Sequence, residues 1–264
     1  MRDIFPIFLL GSGRSGTTLL MKILNSVDHV ILSGEHGGFL KQIADVYFFH
    51  FTDEEMKKRF KNEEAPDALF TKKLEYKIGY PWLHWYGKDT VKKNYKKFIE
   101  SFFNPEMFSK KVCWGFKEIR YGINDQVMEM LIDLYPNARF IFINRDPIDV
   151  IASQLVMKEW GNLKEIINNW VIQNRYISIF YKKYRDNCFV IKYEDIIPGD
   201  SDEFKQLFKW LGLELTEKQY QVFDNKEGIW KVTRKDGNPH RAIFNKRQIR
   251  KINKTLKMVD KVSR

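Results

Sequence analysis

The chain has 264 residues, 44% apolar and 15% aromatic, enough for one sizeable core and ordinary for a single α/β domain covering 1–264. Its 45 Lys and Arg against 34 Asp and Glu leave a formal charge of +11 and a pI near 9.4, which suits an anionic ligand. The basic residues are interleaved with acids and form no block of RNA-binding type, which argues against nucleic acid as a partner. Cys113 and Cys188 lie in apolar, strand-like runs and read as buried thiols. The apolar run "IFPIFLL" (Ile4 to Leu10) is too short to span a bilayer and leads straight into glycines. The expectation is therefore a cytoplasmic, bacterial protein with no transmembrane segment.

In chain order, "FPIFLL" (Phe5 to Leu10) ends in glycines and predicts a buried parallel strand. Leu20, Ile23, Leu24 and Val27 then recur at helical spacing, so a helix starts near Thr17. "VILSGE" (Val30 to Glu35) predicts a second strand. Residues 52–110 interrupt this rhythm with a Lys- and Glu-rich stretch containing the aromatic cluster "YPWLHWYG" (Tyr80 to Gly87). This stretch reads as a mainly helical insertion over the active edge, suited to acceptor specificity. "KVCWGFKE" (Lys111 to Glu118), "RFIFIN" (Arg139 to Asn144) and "CFVIKYE" (Cys188 to Glu194) predict three more strands, with a helix through Val127, Met130, Leu131 and Leu134. Strands alternating with helices predict a doubly wound parallel sheet that binds ligands at the carboxyl ends of its strands. The basic, turn-rich run 231–245 suits a segment that closes over a nucleotide. Trp160 and Trp170 read as core.

"LLGSGRSGTTLL" (Leu9 to Leu20) resembles a nucleotide phosphate loop but has Thr17 where the terminal-phosphate lysine belongs, and Arg14 inside the loop. Backbone N–H groups of Gly13, Arg14, Ser15 and Gly16, with the hydroxyls of Thr17 and Thr18, make an anion cradle at a helix N-terminus. A Mg-nucleotide enzyme also needs a metal-holding aspartate after an apolar strand. Asp146 is the candidate, yet it is flanked by Arg145 and followed by Pro147, a helix N-cap pattern. The loop is thus read as binding an anion without a metal. In "RDPIDVIAS", Arg145 ends a strand and Ser153 lies two turns down the next helix, which places a second anion site there.

With both sites on the page, the chain resembles the sulfotransferases that use 3′-phosphoadenosine 5′-phosphosulfate (PAPS). "GSGRSGTTLL" is similar to their 5′-phosphosulfate loop, "INRDPIDVIAS" to their 3′-phosphate motif, and "VIKYED" (Val190 to Asp195) to a third recurring element. The pair of motifs in this order and spacing is specific; either alone is not. The resemblance implies a phosphate-loop-like fold and transfer of a sulfonate from PAPS to an acceptor hydroxyl, releasing 3′-phosphoadenosine 5′-phosphate (PAP). Arg145 and Ser153 would hold the 3′-phosphate, with Tyr193 on the adenine or in the core. Lys117 would join Arg14 at the leaving phosphate. The branch with a Lys-x-His pair on this strand is not matched, because Ile119 stands at the histidine position. The chain is closer to the tyrosylprotein-sulfotransferase-like pattern, with Gly13 for its proline and a later Gly-Glu. Glu35 is then the expected general base, twenty-one residues after Arg14, and strand alternation would turn the adjacent His36 away. Asp236 interrupts the family's Arg-Lys-Gly tripeptide, so no site residue is assigned there. The acceptor stays open among sugar, lipid headgroup, peptide and small molecule, as does the oligomeric state. Two other readings are a degenerate phosphate-loop kinase or nucleotidase, and a non-catalytic basic protein that binds acidic polymers.

Overall fold

The computed structural model describes residues 5–57, 60–61, 86–104, 113–122, 125–197, 199–224 and 239–262. The elements run β1 (Pro6–Gly11), α1 (Thr17–Asn25), β2 (Val30–Ser33), α2 (Leu40–Thr52), α3 (Glu54–Lys57), β3 (Phe60–Lys61), β4 (Tyr86–Gly87), α4 (Lys88–Phe103) and β5 (Cys113–Glu118). They continue with α5 (Val127–Leu134), β6 (Arg139–Asn144), α6 (Pro147–Met157), α7 (Leu163–Lys183), β7 (Cys188–Lys192), α8 (Tyr193–Ile196), α9 (Asp202–Leu211), α10 (Glu217–Asp224) and α11 (Lys246–Val262). A five-stranded sheet has the order β2-β5-β1-β6-β7, parallel at every pairing.

Alternation along the strands builds two cores. Phe8, Leu10, Phe140 and Phe142 face one side and meet α2, α4, α5 and α7; Ile7, Leu9, Ile141 and Ile143 face the other and meet α1 and α9. Both faces are covered, so the strands read as continuous apolar runs. Phe8 sits between Phe116 and Phe140, at centroid separations of 4.9 and 5.2 Å. Both cysteines are buried and free, and burial pushes the Cys188 thiol up to about 12.

The chain leaves β1 toward β2 on one side and leaves β6 toward β7 on the other. The carboxyl ends of neighbouring β1 and β6 therefore flank the crevice where open α/β sheets bind ligands. β2 stops at Ser33, so Glu35 lies in the following turn rather than at a strand end, and Tyr193 opens α8 instead of extending β7. Within 52–110 the described residues are helical at α3 and α4 and form a two-residue pairing of β3 with β4. Most of the aromatic cluster and residues 231–238 lie outside the described residues. No helix among the described residues is long and apolar enough to cross a membrane.

Candidate active site

The loop between β1 and α1 is built by its glycines. Gly16 caps α1 at φ 102°, a left-handed value that a side chain rarely adopts. A Cβ on it would lie 2.3 Å from the Tyr193 ring, and one on Gly13 would lie 2.2 Å from the Trp160 ring. The loop is thus pressed between two aromatic side chains. The first turn of α1 carries neither an acidic residue nor a side-chain cap, which leaves its N–H groups and dipole facing the crevice. Ser15 and Thr17 are buried and Thr18 half-buried; the Ser15 hydroxyl is among the buried side-chain atoms with no hydrogen-bond partner.

The two anion motifs meet. Arg14, itself at φ 71°, donates from Nε to Ser153 Oγ at 3.0 Å, and Arg145 Nη1 donates to the Arg14 carbonyl at 3.0 Å. Ser153 is therefore tied to Arg14, and Arg145 holds the loop backbone. The Arg145 guanidinium stacks 4.2 Å over the Tyr193 ring while its Nε is buried and unpartnered. Burial, followed by the neighbouring positive charge of Arg145, lowers the Arg14 pKa. Asp146 N-caps α6 by accepting from Ile148 N at 2.8 Å, with Pro147 at the first helical position, as the sequence pattern predicts.

Three supporting residues escape the motif reading. Gln154 Nε2 holds the Gly13 carbonyl at 2.8 Å, and Asn174 Nδ2 reaches Ser12 Oγ at 3.1 Å. Trp160 packs with the α6–α7 cluster and also against Gly13, so it is half-buried beside the loop rather than a plain core residue. The adjacency of Gln154 to Ser153 was the available signal for the first; helical period alone cannot aim Asn174 from α7.

The third group stands at the end of β5. Register places Lys117 beside Leu9 and Glu118 beside Leu10, next to the start of the loop. Lys117 is 4% exposed and its Nζ pairs with Glu35 Oε1. Arg120 Nη1 grips Glu35 Oε2 at 2.8 Å and Glu118 Oε1 at 2.7 Å. Glu35 is thus salt-bridged by Lys117 and Arg120. Glu118 is buried and accepts from His36 N at 3.2 Å, Gly38 N at 3.0 Å and Ile119 N at 2.8 Å, which fastens the turn that carries Glu35. Burial is the largest influence on Glu118 and pushes its pKa up. The Ile119 N–H, the Arg120 hydrogen bond and the His36 and Arg120 charges outweigh it, so the net shift is downward.

His36 points away from Glu35. Its ring lies 4.8 to 5.1 Å from those of Phe39, Phe103 and Phe116, and Tyr121 Oη meets its Nε2 at 2.8 Å. Burial lowers its pKa, partly opposed by Glu118. The strand alternation expected from sequence does not reach these residues, because β2 ends at Ser33; the aromatic packing of His36 fixes its orientation instead.

A parallel sheet with a glycine loop, two arginines and a buried lysine gathered at its switch point defines a phosphate-loop-like fold equipped for an anionic group-transfer donor. The chain belongs to the sulfotransferase family, whose profile matches residues 6–217. Among solved structures it is similar to the sulfotransferase domain of the Synechococcus PCC 7002 olefin synthase, at 16% identity and TM-score 0.52, covering 93% of this chain and 86% of that one. It is also similar to the sulfotransferase domain of the curacin biosynthetic pathway, at 19% identity and TM-score 0.50, covering 93% and 84%. Mouse sulfotransferase SULT7A1, solved with PAP, aligns at 10% identity and TM-score 0.49 over 96% and 82%. A search of curated protein sequences finds no match.

Proposed function

We propose that the protein transfers the sulfonate of PAPS to an acceptor hydroxyl without a metal, with Glu35 as general base and Arg14 and Lys117 as cations for the leaving phosphate. The observation that carries this reading is the Lys117–Glu35 pair beside the loop, where an acid–base group and a cation adjoin a phosphate cradle. Gly13, Ser15, Gly16, Thr17 and Thr18 would hold the 5′-phosphosulfate, and Arg145 with Ser153 and Tyr193 the 3′-phosphate and nucleoside. Two polar groups of the cradle, Ser15 Oγ and Arg145 Nε, are buried without partners, as donors kept for an anion would be.

Glu35 takes the proton from the acceptor hydroxyl as its oxygen bonds to sulfur. The bond from sulfur to the 5′-phosphate oxygen breaks in line, and its electron pair stays on that oxygen, beside Arg14 and Lys117. Donor binding gives Lys117 a second anionic partner and releases Glu35 for its task. Arg120, braced by Glu118, keeps the released carboxylate in place.

The test has two arms. PAP should raise the melting temperature by mass action in the presence of EDTA, about 2.7 kcal/mol of stabilisation at one hundred times its Kd. Glu35→Gln should lower kcat by at least ~10² with PAP affinity nearly unchanged. Stabilisation by Mg-ATP and none by PAP would favour the kinase reading. Loss of PAP binding in Glu35→Gln would make Glu35 structural.

A further inference from the structure

More than half of the chain's net charge lies on α11. Its 17 residues hold seven Lys and Arg against one acid, Asp260, which places six of the +11 net charges on a single helix. At 3.6 residues per turn the seven basic positions fall within an arc of about 140°, and Ile249, Ile252 and Leu256 fall on the opposite side. Those three pack with Ile148 and Ile151 of α6 and Ile166 of α7. The apolar side of α11 is thus spent in the fold, and the basic side is what remains. Lys246, Arg247, Arg250 and Lys254 are exposed, and among the described residues no ion pair joins them to a carboxylate.

This face does not serve the helix that carries it. Lys246 and Arg247 stand in the first turn, where the helix dipole disfavours cations. Lys246 and Arg250, Arg247 and Lys251, and Arg250 and Lys254 repeat the same charge at i, i+4, and each such pair is destabilising. Apolar packing holds the helix in spite of them, and Asn245 caps it by accepting from Gln248 N at 2.9 Å. The turn Pro239–Ile243 just before α11 is fastened as well. Its Arg241 pairs with Asp146 at 3.3 Å and Asp149 at 3.2 Å, at the start of α6. A rigidly docked, self-repelling cationic face is relieved by an anionic partner outside the protein.

We infer that the basic face of α11 seats the protein on a membrane surface rich in anionic lipid headgroups. Lys and Arg clusters of this size on one amphipathic helix are drawn to such a surface, whose charge is spread over a plane. From Lys246 to Lys261 the face is about 22 Å long, and its broad arc offers a plane many contacts at once. Nucleic acid fits it less well. The arc contains no aromatic residue on which bases could stack, and Gln248 and Asn253, which could read base edges, lie outside it. Binding is electrostatic and peripheral, because the apolar side of α11 stays packed on α6 and α7. No residue of the anion cradle takes part, so the inference is independent of the sulfotransfer reading.

The test is co-sedimentation of the full chain with vesicles of phosphatidylcholine alone and of phosphatidylcholine mixed with phosphatidylglycerol. The protein should bind the mixed vesicles at about 0.1 M salt, leave them near 1 M as the screening length shrinks from ~10 Å to ~3 Å, and ignore the neutral ones. Each exposed charge removed should weaken partitioning about fivefold, so Lys246→Gln/Arg250→Gln/Lys254→Gln should lose roughly a hundredfold. That variant should keep its melting temperature, because the three side chains are exposed and two like-charge pairs are relieved. Lys246→Arg/Lys254→Arg, which preserves charge, should partition like the parent. Equal binding to neutral vesicles, or partitioning unchanged in the glutamine variant, would overturn the inference. So would a lower melting temperature in that variant, which would make the face structural. Tighter binding to duplex DNA than to the mixed vesicles at the same salt would assign the face to nucleic acid instead.

Discussion

Replacing Glu118 with glutamine tests the brace behind the proposed base. The carboxylate accepts three backbone N–H groups, from His36, Gly38 and Ile119, and one guanidinium, from Arg120. Hydrogen bonds to a charged group contribute roughly 1.5–3 kcal/mol each. The Arg120 contribution is discounted below about 1 kcal/mol because that side chain is 41% exposed. Glutamine keeps one acceptor oxygen and turns an NH₂ toward the other pair of donors, whichever way the amide is placed. The expected loss is ~3–5 kcal/mol, from two buried donors left facing an NH₂ at about 1–3 kcal/mol each and the lost charge on the remaining acceptor. For a domain of this size that corresponds to roughly 6–20 °C in Tm. Thermal unfolding at pH 7, followed by calorimetry, measures it. Turnover should also drop by ~10², since a displacement of the Glu35 turn by about 1 Å is enough for that, whereas PAP affinity should hold because Glu118 does not touch the loop. Arg120→Ala separates the two effects, lowering kcat with little change in Tm. A Glu118→Gln protein within about 1 kcal/mol of the parent would refute the account of the brace.

Gly16→Ala places a Cβ at φ 102° and 2.3 Å from the Tyr193 ring, so it should cost roughly 2–4 kcal/mol; adding Tyr193→Ala should return only the steric part, as read by chemical denaturation. Arg145→Ala should weaken PAP by ~2–4 kcal/mol in titration calorimetry, and 5′-AMP by less, because Arg145 also holds the Arg14 carbonyl. Equal losses for both ligands would make Arg145 purely a loop brace. The His36 pKa is lowered in the fold, so its contribution to stability is present above the unfolded value near 6.5 and is lost as pH falls through the folded value. Glu118 is also lowered, so its contribution is present above the unfolded value near 4.5 and is lost as pH falls through its folded value. His36→Gln should flatten the upper part of this decline and leave the lower part. Around His36 the charged or titratable neighbours are Glu118, Arg120 and Tyr121, with the rings of Phe39, Phe103 and Phe116 completing its surroundings.

What was legible in the sequence follows from where local rules decide the structure. β6 is Arg139–Asn144 and α5 is Val127–Leu134, both at the residues their patterns indicate, because apolar runs and helical spacing express burial directly. Asp146–Pro147 opens α6 because capping chemistry is local, and Thr17 opens α1 where the helical spacing through Leu20, Ile23 and Leu24 begins. The loop and Arg145 were visible as motifs, but their mutual geometry was not. Arg14 finds Ser153 across 139 residues, and no periodicity carries that information. Arg120 and Glu118 were missed for the same reason. Their role appears only once the turn after β2 is laid against the end of β5.

The places where the chain departs from ordinary residue preferences gather at the same edge of the sheet. Arg14 holds a left-handed φ of 71°, Lys117 and Glu118 are charged yet almost fully buried, and Ser15 and Arg145 keep buried polar atoms without partners. Each of these costs stability in the free protein, by backbone strain, desolvation or an unmade hydrogen bond. Dispersed through the fold they would be unrelated defects. They gather around the carboxyl ends of β1, β5 and β6. Under the proposed function an anionic donor would accept from Ser15 and Arg145 and offset the Arg14 and Lys117 charges, while Glu118 is already satisfied within the protein. The fold stabilises this edge in advance through contacts that any ligand would leave intact, namely Gln154 on Gly13, Asn174 on Ser12 and Glu118 on the Glu35 turn. That division between groups braced by the protein and groups kept open is what a preorganised transfer site requires.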